Sequence, residues 1–144
     1  ASADLGDRFF EDIGSFGFSP PSVTLDNASG RAGHAVGSSI TVSTQYWGGS
    51  IYSSYQKQRT MIHEFAHAFS NNGGNQRDWQ RAHGGENCYV STYAETNNKE
   101  DLAESVVAYR YHGQEFKDRC PMKYRATRRI VFHGKEFLNQ NNCE

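Results

Sequence analysis

The sequence predicts an α+β fold, in which a small twisted sheet from the N-terminal third packs on a helix that contains the motif His-Glu-Phe-Ala-His. Three observations lead to this prediction. Apolar residues alternate with Ser and Thr in the first third, apolar residues recur at helical spacing around the motif, and a second helical pattern follows it. The chain has 144 residues, which is the size of one domain. We therefore expect residues 1–144 to form a single domain.

The composition is that of a globular protein without a charged face. Hydrophobic residues make up 36% of the chain, charged residues 22%, and the formal net charge is -1. Such a balance gives no overall field for a nucleic acid or a membrane surface, and no apolar run approaches the roughly 18 residues that span a bilayer. The N-terminus, ASADLGDRFF, has no signal-peptide pattern. We expect an already processed, soluble monomer with neither nucleic acid nor membrane as partner.

The cysteines and a glycosylation sequon favour an extracellular location. Three cysteines, Cys88, Cys120 and Cys143, allow at most one disulfide within the chain, and the sequence leaves all three pairings open. The sequon is Asn27-Ala28-Ser29. We therefore predict a secreted, disulfide-containing protein.

The N-terminal third contains the predicted strands. Leu5–Ile13 has the spacing of a short helix, which Gly and Pro residues end. Ser22–Leu25 and Ser38–Ser43 alternate apolar and small polar residues, as half-buried strands do. An edge strand can bind an extended peptide through its main chain. We therefore assign a substrate-binding edge strand to Ser38, Ile40 and Val42.

Helices are predicted in the remainder. Residues 54–70 carry an apolar stripe and end at an Asn-Asn-Gly-Gly sequence, whereas residues 75–92 are polar and read as irregular. Asn97 can cap a helix that runs to about Tyr111. A final helix is expected to use Ile130, Val131, Phe137 and Leu138, with a possible break at His133-Gly134.

The motif His63-Glu64-Phe65-Ala66-His67 predicts a metal site. Histidines four residues apart lie on one face of a helix, so both can bind one cation, and Glu64 beside them can accept a proton from an attacking water. This pattern within a helix is typical of zinc metallopeptidases with a zincin-like fold. The alternative is an amphipathic core helix that carries two histidines by chance.

A third zinc ligand is needed, because catalytic zinc has three protein ligands and one open position. The extended motif HExxHxxGxxH is absent, since Ser70 and Gly73 occupy its last two positions. The helix after Asn97 offers three acids, Glu100, Asp101 and Glu104. They could equally be capping or solvated first-turn residues.

HEFAHAF followed by STYAETNNKEDLAES resembles the zinc-binding core of the family that includes the anthrax lethal factor catalytic domain and the smaller bacterial Pro-Pro endopeptidases. The resemblance covers roughly residues 57–110. It implies Glu100 as the third ligand, Tyr93 as the oxyanion stabiliser, Glu104 as the partner of a zinc-bound histidine, and Asp101 as the alternative ligand. One catalytic Zn²⁺ is the implied cofactor.

These observations predict a zinc metalloendopeptidase that hydrolyses peptide bonds of peptides or proteins, with Glu64 as general base. Two alternatives are a zinc-stabilised peptide-binding module or inactive relative, and a metal-dependent hydrolase of non-peptide amides. Four other histidines are expected to be surface residues or hydrogen-bonded core residues: His34, His83, His112 and His133. Of these, His83 is the strongest candidate for a further metal ligand, because it precedes the flexible pair Gly84-Gly85.

Overall fold

The computed structural model describes residues 55–138 with their side chains, and the backbone of Ser54 and of three strands at 22–26, 33–36 and 39–43. The predicted helix Leu5–Ile13, the sequon at Asn27 and the third cysteine, Cys143, lie outside the described residues.

The three strands are short and form one sheet. They are β1 (Ser22–Asp26), β2 (Gly33–Val36) and β3 (Ser39–Ser43), in the order β1-β3-β2. β1 runs parallel to β3, and β2 runs antiparallel to it. Both β2 and β3 approach the helix that carries the His-Glu-Phe-Ala-His motif.

The prediction that Ser38–Ser43 is an edge strand is wrong. β3 is the central strand, and both Ile40 and Val42 have partners on either side, in β1 and in β2. A peptide cannot pair with a strand whose two edges already pair with neighbours. Ser38 itself lies outside the described residues. The sequence pattern could not reveal this, because a strand's alternation reports its faces and not its place in the sheet.

The helical part follows in chain order. It consists of α1 (Ser54–Ser70), α2 (Asn75–His83), a 3₁₀ turn (Tyr93–Glu95), α3 (Asn98–Tyr111), α4 (Gly113–Arg119), and α5 (Pro121–Ala126), which continues into a π-helical turn (Thr127–Val131).

The predictions for α1 and α3 are confirmed. α1 spans the predicted residues 54–70. α3 begins after Asn97, whose side-chain oxygen accepts a hydrogen bond from the backbone N–H of Glu100 at 2.9 Å. That bond satisfies one of the free N–H groups of the first turn and fixes where the helix starts. The start of α3 therefore has a local cause that the sequence shows.

The core of residues 54–138 is formed by helix packing on helix. α1 packs along α3, and the facing side chains Phe65, Phe69, Leu102 and Val106 are buried. On the other side, the rings of Tyr109, Tyr124, Phe132 and Phe137 stack or meet edge to face beneath α4 and α5. Burial of such aliphatic and aromatic groups is the main force that holds these helices together.

The predicted α+β fold, with a twisted sheet as the layer that supports the motif helix, is wrong. Within residues 54–138 all regular structure is helical, and the described core is drawn from helices and from the segments that join or follow them. The prediction gave too much weight to strands of four or five residues. It also missed the helices at residues 75–83 and 113–119, which contribute the buried residues Trp79 and Phe116 to the core.

α2 and the last predicted helix show why these predictions failed. α2 lies in the stretch predicted as irregular, because Trp79 is the one large apolar residue within Asn75–His83. The Trp79 ring is fully buried, and its Nε1 donates to Thr127 Oγ1 at 3.0 Å. The predicted final helix ends at Val131, where His133 and Gly134 have positive φ angles of 50° and 95°. Phe137 and Leu138 therefore pack from outside the helix.

A disulfide joins Cys88 to Cys120. It connects the segment after α2 to the junction between α4 and α5. No helix among the described residues is long and apolar enough to cross a membrane.

Candidate metal centre

Helix α1 places its two motif histidines one turn apart on the face that looks toward α3. The ring centroids of His63 and His67 are 4.7 Å apart, and their Nε2 atoms are 3.1 Å apart. Both rings are largely shielded from solvent. Two imidazole nitrogens thus point at one position, as the i, i+4 spacing predicts.

Glu100 reaches the same position from the first turn of α3. Its Oε1 lies 2.8 Å from His67 Nε2, and its Oε2 lies 3.1 Å from His63 Nε2. Asn97 caps the helix at the Glu100 amide, so the Glu100 side chain is free to face α1. The three residues form a group whose ligand atoms converge on one point.

The donor set fits a zinc ion. His63 Nδ1 lies 3.0 Å from a carboxylate oxygen of Glu104 and therefore carries the ring proton when the ring is neutral. Its Nε2 then presents a lone pair toward Glu100 Oε2, a buried oxygen without a hydrogen-bond partner. Two lone pairs that face each other in a site largely shielded from water repel each other unless a cation binds between them. Tetrahedral zinc ligands lie about 3.3 Å apart, close to the spacing seen here.

The pKa values of the two histidines shift in opposite directions. Burial of the His63 ring acts to lower its pKa, but the hydrogen bond and charge of Glu104 and the charges of Glu100 and Glu64 outweigh it, so the pKa of His63 is raised. For His67, burial and the charge of His63 prevail over Glu100 and lower the pKa. His67 is therefore neutral at neutral pH, the form that binds a metal, whereas metal binding at His63 competes with a proton.

Glu104 links the His63 ring to two further side chains. Its Oε2 contacts His63 Nδ1, and its Oε1 accepts from Ser91 Oγ at 3.0 Å and from Arg59 Nη2 at 3.3 Å. Burial acts to raise the pKa of Glu104, but His63, Arg59 and Ser91 together lower it. The carboxylate is thus ionised and holds the imidazole in one orientation, which is how partners of metal-binding histidines act.

Glu64 lies beside the group without joining it. Its side chain is buried, and its negative charge raises the pKa of both His63 and Tyr93. Both effects require that the carboxylate be close to the two rings. Glu64 therefore lies within electrostatic reach of both rings.

Tyr93 approaches from the 3₁₀ turn. Its ring centroid is 5.9 Å from that of His63, and 53% of the side chain is exposed. Partial burial, the charge of Glu100 and a hydrogen bond with Glu100 raise its pKa. The hydroxyl therefore keeps its proton at neutral pH and can donate a hydrogen bond.

Asp101 does not belong to the group, so the alternative ligand set is wrong. Asp101 is 4% exposed, and its Oδ2 lies 2.9 Å from the Nζ of Lys123, which also donates to the Cys88 carbonyl. Burial raises the pKa of Asp101 even though Lys123 opposes the shift. One helical step of about 100° separates Asp101 from Glu100 and turns its side chain into the core.

The other histidines form no metal group in the part of the chain with described side chains. His83 is buried against Trp79, accepts from the Gly85 N–H at 3.1 Å, and has a lowered pKa because of burial and the charge of Lys123. His112 contacts the Tyr55 hydroxyl at 3.2 Å, and His133 is exposed. For His34 the structure describes the backbone and not the side chain.

Sequence reasoning missed Arg59, Ser91 and Lys123. Ser91 and Arg59 reach Glu104 across loops and helices, and no spacing rule marks such contacts. Lys123 is a lysine that is only 1% exposed, which sequence patterns do not predict because lysines are rarely buried.

Comparison of the chain with protein-family models, with curated proteins and with solved structures finds no match. The likeness to the lethal factor family thus rests on the residues around His63 and Glu100 alone.

Proposed function

We propose that the protein is a zinc-dependent endopeptidase that hydrolyses peptide bonds of peptides or proteins. One observation carries the proposal: the Nε2 atoms of His63 and His67 and the carboxylate of Glu100 converge within 3.1 Å of one another. Two nitrogens, one carboxylate and a fourth direction without a protein ligand are the set found in catalytic zinc sites.

A zinc ion bound by these three residues would polarise the scissile carbonyl and make a water molecule more acidic. The chain supplies the remaining chemistry. Glu64 accepts a proton from the attacking water and returns it to the leaving amine, which general-base catalysis requires of a carboxylate beside the reacting atoms. The Tyr93 hydroxyl, which keeps its proton because its pKa is raised, donates to the negative oxygen of the tetrahedral intermediate.

A structural zinc site is less consistent with this arrangement. Structural sites are usually closed by four protein ligands, whereas the group among the described residues has three. An acid and a tyrosine near the metal group, Glu64 and Tyr93, have no role in a closed site. The same residues could nonetheless hydrolyse non-peptide amides, and the choice of substrate in the assay decides between these two activities.

An extracellular location is part of the proposal. The disulfide between Cys88 and Cys120 supports it, because disulfides persist in oxidising compartments. We further propose that the protein acts as a monomer on its peptide substrate.

The test measures zinc content and cleavage of an unbiased peptide library for the wild type, Glu64→Gln and Tyr93→Phe. Glu95→Gln is the matched control, since Glu95 is an exposed acid in the turn that carries Tyr93. We expect about one zinc per chain in each protein. The cleavage rate should fall by about 10²- to 10⁴-fold in Glu64→Gln, by about 10²- to 10³-fold in Tyr93→Phe, and not in the control.

Three outcomes would contradict the proposal. Zinc binding without cleavage of any peptide would indicate a binding module. Cleavage confined to non-peptide amides would indicate the other hydrolase, and absence of zinc from the wild type would remove the site altogether.

A further inference from the structure

The Ser91 hydroxyl both donates and accepts a hydrogen bond. The Oγ donates a hydrogen bond to Glu104 Oε1 at 3.0 Å and accepts one from the Ala94 N–H at 3.2 Å. Glu104 in turn contacts His63 Nδ1 through its other oxygen. A continuous chain of hydrogen bonds therefore runs from the backbone beside Tyr93 to the imidazole of His63.

The bond to Ala94 fixes the position of Tyr93. The Ala94 N–H belongs to the peptide group that joins Tyr93 to Ala94, so an acceptor at that N–H holds the tyrosine backbone directly. Ala94 itself is 1% exposed and anchors the turn in the core. Tyr93 is 53% exposed, and beyond the turn it is held by its ring contact with His63 and its hydrogen bond with Glu100. The orientation of Tyr93 thus depends in part on the turn.

Arg59 cannot replace Ser91 in this role. It contacts the same oxygen of Glu104 at a longer distance, 3.3 Å, and 45% of its side chain is exposed. An exposed arginine holds a carboxylate weakly, because solvent screens the charge and the long side chain loses conformational freedom. Arg59 also lies on α1, and its contact with Glu104 does not involve the turn. Among the described residues that contact Glu104, Ser91 is the one that also hydrogen-bonds to the turn.

We propose that Ser91 is a positioning residue that couples the turn bearing Tyr93 to the orientation of His63 through Glu104. The inference rests on the proposed peptidase function and adds a residue to it. Loss of the hydroxyl leaves Glu104 with one donor fewer and releases the Ala94 N–H. Both the metal site and the oxyanion donor then lose part of their preorganisation.

The test compares the wild type, Ser91→Ala, Ser91→Thr and Thr92→Ala. Thr92→Ala is the matched control, because Thr92 is the adjacent, exposed hydroxyl residue and its side chain makes no capping hydrogen bond to the turn. Zinc affinity is measured by competition with a chelator, and kcat and KM are measured on a library-derived peptide. Circular dichroism verifies that each variant is folded.

We expect Ser91→Ala to bind zinc about 10-fold more weakly and to lose about 10- to 100-fold in kcat, with little change in KM. Ser91→Thr should remain close to the wild type because it keeps the hydroxyl. Thr92→Ala should match the wild type in both measurements.

A double-mutant cycle separates the two effects of Ser91. In the Tyr93→Phe background, Ser91→Ala should cost clearly less in kcat than in the wild type, because the oxyanion donor is already absent. The loss of zinc affinity should persist there, since it passes through Glu104. A simple folding defect would lower both quantities equally in either background.

The outcomes are distinguishable. If the wild type binds zinc and cleaves peptide but Ser91→Ala equals it in both, the inference is wrong and the proposed function stands. Equal kcat losses with and without the Tyr93 hydroxyl, or a comparable loss in Thr92→Ala, would also refute the inference. A wild type without zinc or cleavage would overturn the proposed function and this inference with it.

Discussion

Replacement of Lys123 by methionine should destabilise the protein severely. Lys123 and Asp101 are 1% and 4% exposed, and their charged groups are 2.9 Å apart. Lys123→Met has nearly the same volume but removes the charge and the donor to the Cys88 carbonyl. The Asp101 carboxyl group is then left buried and without its cation.

The expected loss of stability follows from the distance between the two charged groups. At 2.9 Å and an effective dielectric constant of about 20, the attraction between two unit charges is about 6 kcal/mol. The gross attraction is offset by the cost of removing both charges from water, but loss of one partner leaves that cost in place for the other. We therefore expect the free energy of unfolding to fall by about 3 to 5 kcal/mol in Lys123→Met.

Urea denaturation at neutral pH measures this loss, with Asp101→Asn and the double variant completing a cycle. Because the uncompensated carboxylate causes most of the damage, Asp101→Asn added to Lys123→Met should restore part of the stability. If the double variant is less stable than Lys123→Met, the damage comes from lost packing or from the Cys88 carbonyl, and the reasoning is refuted. Arg125→Met, which removes an exposed cation from the same helix, should change the midpoint little.

Three further predictions follow from the described contacts. Replacement of Cys88 and Cys120 by serine opens a link with a sequence separation of 32 and should lower the free energy of unfolding by about 4 kcal/mol; an unchanged guanidinium midpoint would contradict this. Burial raises the pKa of Tyr109 to about 12. The resulting stabilisation is fully present below about pH 10 and is lost as the pH rises toward about 12, which lowers the free energy of unfolding by about 3 kcal/mol. Tyr109→Phe should lack that alkaline loss in urea midpoints measured across this range, and an unchanged pH dependence would refute the assignment. Glu104→Ala should weaken zinc binding by about 10- to 100-fold in a chelator competition, and wild-type affinity would show that the contact with His63 does not matter for the metal.

Local patterns predicted the elements that hold the site. The stripe around Phe65 and the cap at Asn97 each depend on residues within one or two helical turns, and the structure has both helices where they were expected. The convergence of His63 with Glu100 depends instead on how α1 packs on α3. That packing was not derivable from spacing, and the family resemblance supplied the expectation.

Contacts between distant residues explain what the sequence did not reveal. The exclusion of Asp101 from the metal group depends on Lys123, which lies 22 residues away. Trp79 stabilises a helix in a polar stretch because Thr127, 48 residues away, accepts its N–H. The place of β3 at the centre of its sheet is likewise set by pairing with β1 and β2. Periodicity within a segment carries no information about such partners.

Zinc titration of the metal-free wild type and of Glu100→Ala tests the central claim most directly, with Glu95→Ala as the matched loss of a nearby exposed acid. The account predicts about one zinc per chain in the wild type and in Glu95→Ala, and a large loss of affinity in Glu100→Ala, because Glu100 supplies one of three protein ligands. Wild-type affinity in Glu100→Ala, or no zinc binding by the wild type, would contradict the assignment of His63, His67 and Glu100 as a catalytic zinc centre.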